Sequence, residues 1–302
     1  MDTEHSEGIE GFPLNDSQDN NILMHRDAHF GGSFDFMIDY YKKEGKGICP
    51  DFELERIVEL ANMEKQMNQN LAAVLLSGAE AETVAKSKTA YKALRDLYEN
   101  KNSDKNARLI ADLILAEEEE PEQEIAAIVA EKGSIVRSLI QLVQLEDFHD
   151  PLFPGYGQAH LLATTCLGLI GDKRAIISLF ESIGTGNFDD ENIALAALQA
   201  IGEPAKQFLL KVLQGKPLNE DNERAAIALI GFKEDPVVST ACFKMLQEPL
   251  VLKDLPLATY LIAACEHLNK TPYGEDLAAL AEDTKIPKML QQDIKIIIKQ
   301  WK

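Results

Sequence analysis

The sequence predicts an all-α protein, read as an α-solenoid of stacked antiparallel helix pairs, and three observations carry that reading. From Asp51 onward, apolar residues recur at the three- and four-residue spacing of amphipathic helices almost without pause. No run of alternating apolar and polar residues is long enough for a half-buried strand. In the second half, three segments close in the same way: ATTCLGLIG (163–171), ALAALQAIG (194–202) and ERAAIALIG (223–231). Their final pairs, Ile170-Gly171, Ile201-Gly202 and Ile230-Gly231, lie 31 and 29 residues apart. That is the period of a helix–turn–helix unit, which buries its apolar face only by stacking on neighbours.

Taken in order, residues 1–21 are polar and acidic, with Asp2, Glu4, Glu7, Glu10, Asp16 and Asp19 preceding the first basic residue, Arg26. Such a segment buries too little apolar surface to offset ordering, so a disordered acidic tail is expected. Residues 22–118 are expected to form an N-terminal helical region and cap. Its aromatic cluster (Phe30, Phe34, Phe36, Tyr40, Tyr41) reads as a lid over the first helix pair, or else as a partner-binding patch. A short helix is predicted from Ser33, as N-cap, to Glu44, ending at Gly45 and Gly47. Amphipathic helices follow around 52–61 and 67–75, then over Ala79–Tyr98 and, after a turn at 100–104, over Ala107–Ala116.

Residues 119–302 are expected to form the repeat array. Counting back four positions from each closing glycine gives Leu167, Leu198 and Ile227; eight positions back gives Ala163, Ala194 and Glu223, so the third copy departs there. Gly at the end of each first helix is expected to supply a left-handed C-cap for a tight turn. Pro204 and Pro236 sit near the start of the second helix of their copies, where a missing N–H does little harm. Weaker copies flank these three, through Ile125, Val129 and Gly133 upstream and Ala258, Ile262 and Cys265 downstream. The last helix, Lys288–Trp301, aligns Leu290, Ile294, Ile297, Ile298 and Trp301 on one face and reads as a terminal cap.

The pattern A-x-x-x-L-x-x-I-G, then an acidic residue and a second apolar helix, resembles the HEAT-like repeats of the phycobilisome-lyase type over about residues 120–302. Its best copies are Ala163, Leu167, Ile170-Gly171-Asp172 and Ala194, Leu198, Ile201-Gly202-Glu203-Pro204. The resemblance implies a HEAT-like superhelix. Proteins similar in this way include scaffolds, bilin lyases, a di-iron hydroxylase and DNA-alkylation glycosylases. The hydroxylase branch uses His-Glu pairs; here the nearest is the reversed Glu266-His267. The glycosylase branch has a basic, aromatic-lined groove, whereas this chain is acidic with a single Trp, at 301.

Charge narrows the function classes. Thirty Lys and Arg stand against fifty Asp and Glu, a formal net charge of −20. Such a surface repels phosphate backbones, so no nucleic-acid partner is expected, while a basic protein partner is favoured. Apolar stretches such as 161–170 and 193–201 reach about ten residues, short of the about 20 of a membrane span. With no positive n-region or apolar h-region at the start, neither membrane nor secretion is expected, and a cytoplasmic place is. Four cysteines (Cys49, Cys166, Cys242, Cys265) make no disulfide framework. No nucleophile elbow, phosphate loop, dinucleotide fingerprint or C-x-x-C is present, so no catalytic residue and no cofactor is indicated.

Three segments remain as candidates. His25-Arg26-Asp27-Ala28-His29 would, as an extended loop, turn His25, Asp27 and His29 to one side and could ligate a divalent metal; otherwise it is a polar linker. The run Glu117, Glu118, Glu119, Glu120 is a landing site for a basic partner or a solvated turn. The insertion 147–157 offers Phe148, Phe153 and Tyr156 as partner contacts, or packs as a loop filling a notch. The function expected is therefore a non-enzymatic interaction scaffold with an acidic surface. The alternatives are a bilin-lyase-like or other small-molecule handling protein with a chromophore or a reactive thiol, and a metal-dependent enzyme built on His25, Asp27 and His29.

Overall fold

In the computed structural model, which describes residues 17–43, 51–100, 102–116, 121–184 and 188–301, several helices begin where a side chain caps them. Ser33 Oγ accepts from Phe36 N at 3.3 Å and opens the predicted aromatic helix. Ser77 and Glu80 close a reciprocal capping box at the start of the longest helix. Asp104, Asp235 and Asp254 each accept from a first-turn backbone N–H. No strand occurs among the described residues.

Seventeen α-helices occur among the described residues. They are α1 (Ser17–His29), α2 (Phe34–Lys43), α3 (Leu54–Met67), α4 (Leu71–Leu75), α5 (Gly78–Glu99), α6 (Lys105–Ile114), α7 (Glu122–Ala130), α8 (Val136–Gln144) and α9 (Ala159–Ile170). There follow α10 (Ile176–Glu181), α11 (Phe188–Ile201), α12 (Glu203–Leu213), α13 (Glu220–Leu229), α14 (Pro236–Leu246), α15 (Leu255–Ala264), α16 (Gly274–Leu280) and α17 (Lys288–Gln300). The chain divides into two compact units, 1–127 with 145–160, and 128–144 with 161–302. This division falls within α7, between 127 and 128, and the insertion at 147–157 belongs to the first unit.

In the first unit α1 packs on α4 and α5, α2 on α3, and α5 on α6. Ile22, Leu23, Phe34, Met37, Phe52, Ile57, Leu60 and Leu71 form its main core. Of the predicted aromatic cluster Phe34 is core, Phe30 and Tyr41 pack half-buried against it, and Phe36 is turned out at 70 % exposure. Residues 17–21 correct the expectation of a disordered tail. They are the first turns of α1, and Asp19 is buried against Arg56 by bonds of 2.7 and 2.6 Å. Residues 1–16 lie outside the described residues. Arg26 is wholly buried and reaches Asp27 Oδ1, Glu64 Oε2 and Asn70 Oδ1, with its guanidinium 4.6 Å over the Phe34 ring. A buried cation persists only when so partnered.

In the second unit α11, α13, α15 and α17 pack successively on one another, while α12, α14 and α16 pack against them. Polar links join segments 29, 33 and 41 residues apart. Arg174 donates to Gly133 O at 2.7 Å, Lys206 bonds Asp235, and Lys233 meets Glu266 at 2.5 Å. Gly168 lets α9 approach α11, since a Cβ there would lie 2.7 Å from Ala197 Cα. Gly171 and Gly202 have φ +69° and +78°, a sign that glycine adopts freely, but Gly202, with ψ −131°, is not in the left-handed helical conformation expected of the cap. Gly231 departs from the expectation: it carries no positive φ and lies in a 3₁₀ turn over Ile230–Phe232.

Candidate functional site: an acidic face on the second unit

The third copy is where the repeat breaks, and the break has a physical cause. In α11 the inward residues are Ala194, Ala197, Leu198 and Ile201. In α13 they are Asn222, Ala225, Ala226 and Leu229, so the buried face is turned by about one residue. Asn222 sets that turn. Its Nδ2 donates to Leu213 O at 2.8 Å, Gly215 O at 3.1 Å and Val212 O at 3.2 Å, while its Oδ1 accepts from Asn219 N at 2.8 Å. One side chain therefore meets the last carbonyls of α12 and the first amide of the next turn. With Asn222 inside, Glu220, Glu223, Ile227 and Ile230 turn outward.

Glu191 of α11, Glu220 and Glu223 of α13 and Tyr260 of α15 thereby line a cleft of about 350 Å³ with Ile183, Gly184, Arg224 and Ile227. Arg224 is the one basic side chain lining it among the described residues, and it already serves Asp221 at 3.2 Å and Glu220 at 3.8 Å. Partial burial, then the charges of Asp254, Glu220 and Glu191, push the Glu223 carboxyl above its ordinary range. The Tyr260 phenol is likewise pushed up, by burial and then by Glu223 and Glu191. The α13 N-terminus tolerates its acidic first turn because the helix dipole presents positive charge there.

The sequence candidates are placed differently. His25, Asp27 and His29 are on a helix, not an extended loop, which corrects the premise of a three-ligand metal site. A helix sets residues 25 and 29 on one face and 27 on another. The two imidazoles stack with ring centroids 5.1 Å apart, and Asp27 is taken by Arg26 at 2.6 Å. Among the described residues no group of three or more His, Cys, Asp and Glu is placed to hold a metal ion. His29 Nε2 lies 3.2 Å from Pro151 O, which only accepts, so that nitrogen carries the proton and Nδ1 accepts from the Tyr91 hydroxyl at 2.6 Å. Burial holds His25 down at about 4. Burial, then the neighbouring His25, hold His29 down at about 3 against the raising bond to Pro151.

The 145–160 segment joins that histidine face. Ser87 Oγ donates to Leu152 O at 2.7 Å, and the Tyr156 ring stacks on His29 at 4.4 Å. Phe153 is buried at 3 % exposure, as the packed-loop alternative has it, which corrects its place among the partner contacts, while Phe148 and Tyr156 are half-buried. Glu117, Glu118, Glu119 and Glu120 lie outside the described residues, as does Cys49. The other three thiols, Cys166, Cys242 and Cys265, are buried, and burial pushes Cys166 and Cys242 up to about 12. A protonated, enclosed thiol is inert.

Sequence reasoning left the carboxylates of the cleft among the solvated faces. The available signal was Glu223 itself, standing where the other copies carry Ala163 and Ala194. No protein-family model, curated protein or solved structure matches this chain. No helix among the described residues is long and apolar enough to cross a membrane.

Proposed function

We propose that this chain is a non-enzymatic protein-interaction scaffold, an α-solenoid whose α11–α13–α15 face receives a basic, extended segment of a protein partner. The observation that supports this most is the convergence of Glu191, Glu220 and Glu223 on one cleft whose arginine is already engaged, with the charge of Asp254 also acting on Glu223. Like charges held together weaken a fold, and a lysine or arginine from a partner offsets that repulsion on binding. The net charge of −20 adds long-range attraction for such a partner, which salt screens.

The test is affinity capture from lysate with the tagged full chain, at low and at about physiological salt, beside Glu191→Gln/Glu223→Gln. The reading expects one or a few basic proteins, held more tightly at low salt and lost from the double variant. Capture unchanged by the double variant, or of acidic proteins, overturns it.

A further inference from the structure

Beside the acidic cleft, α15 and α17 enclose a second, smaller depression of about 240 Å³. Its walls are aliphatic, from Ile230, Ile262, Ala263, Ile296 and Ile297. Ile296 is 59 % exposed, although Leu290, Ile294 and Ile297 of the same helix are buried. The rim is acidic. Glu266 is taken by Lys233 at 2.5 Å, but Asp293 meets no cation among the described residues. The volume is below the about 300–1,000 Å³ usual for small-molecule sites and suits a single side chain.

The two depressions share α15. Tyr260 faces the cleft, while Thr259 and Ala263 face the depression. At about 1.5 Å rise and about 100° per residue, Tyr260 stands close to Thr259 and Ala263 along the axis but on a neighbouring side of α15. An extended segment advances about 3.3 Å per residue, so one that curves over α15 reaches from the cleft to the depression within a few residues. A second copy of this chain is disfavoured as occupant, because its own charge of −20 meets an acidic rim.

We infer that the α15–α17 depression seats one branched aliphatic side chain of the basic segment proposed above, so that the partner carries a leucine-like anchor among its arginines or lysines. This rests on the acidic face being a binding face. The carboxylates attract and orient the segment, and the apolar seat selects which basic segment stays.

The probes are two fluorescein-labelled heptapeptides that alternate arginine with glycine and differ only in a central leucine or alanine. Anisotropy titrations use the full chain and its Ile296→Ser and Ile296→Val variants, with Trp301 fluorescence confirming the fold. The leucine peptide is expected to bind about tenfold more tightly than the alanine peptide, the effect of burying about two methylene groups. Ile296→Ser should erase that preference and Ile296→Val retain it. Equal binding of both peptides, or a preference surviving in Ile296→Ser, overturns the anchor while leaving the acidic face standing. Binding of neither peptide overturns both. Self-association of the chain that Ile296→Ser abolishes assigns the seat to a second copy and also overturns the anchor.

Discussion

Replacing Asn222 separates two physical rules that give opposite answers. It stands in the first turn of α13, where an aspartate gains about 0.3–1 kcal/mol from the helix dipole, so local rules favour Asn222→Asp. The tertiary setting opposes this. Asn222 is 2 % exposed, and its amide supplies two hydrogens shared among Leu213, Gly215 and Val212 carbonyls. Its oxygen holds Asn219 N. Three neutral bonds at about 1 kcal/mol each, less what water restores, make Asn222→Ala a loss of about 2–4 kcal/mol. Asn222→Asp keeps the Asn219 bond but loses both donors and turns an anion on the carbonyls. It should therefore be the less stable of the two at neutral pH and recover as its carboxyl is protonated. The single tryptophan, Trp301, lies in the second unit with its Nε1 bonded to Glu266 O at 2.5 Å, so its fluorescence in urea reports that unit alone. With a slope of about 2 kcal/mol/M, the Asn222→Ala midpoint should fall by about 1–2 M. An Asn222→Asp variant as stable as the parent, or more stable than Asn222→Ala, would refute the reasoning.

Gly168→Ala should lose about 1–3 kcal/mol by overpacking against Ala197, and Gly171→Ala, with open space but φ +69°, about 1–2 kcal/mol from conformation alone, both read by Trp301. His25 and His29 are buried neutral. Their contribution is fully present above the unfolded value of 6.5 and is lost as pH falls through the windows ending at about 4 and about 3. Each adds a slope of up to about 1.4 kcal/mol per pH unit, so tyrosine near-UV dichroism in urea should show a flatter acid limb in His25→Gln/His29→Gln. In a Cys49→Ser background, native protein should show no fast-reacting thiol with a disulfide reagent, and three on unfolding. Glu223→Gln, by removing a carboxyl whose neighbours repel it, should raise the urea midpoint of the second unit at neutral pH, with the gain shrinking in acid.

The helices of the second unit were legible because local periodicity and tertiary burial agree there: Ala163, Leu167, Ala194 and Leu198 are all inside. Asp104 as a cap and Ser33 as a helix start were legible because capping is local. The start of α1 was not. Its polar first turns hold only because Asp19 meets Arg56, 37 residues away. Nor was the fate of Phe153, since a segment flanked by second-unit sequence packs into the first. The acidic face was half legible. Glu223 broke the repeat in plain view, but its neighbours Glu191 and Asp254 come from other helices, and their convergence is a property of the folded unit.

The most direct test of the acidic face is the affinity of the arginine–leucine heptapeptide for the parent chain and for Glu191→Gln/Glu223→Gln, measured from about 20 to about 150 mM salt. The parent should bind more tightly at low salt and weaken steeply as salt rises. The double variant should bind weakly with a flatter salt dependence, while its urea midpoint stays at or above that of the parent. Equal affinities with equal salt slopes would contradict the assignment of this face.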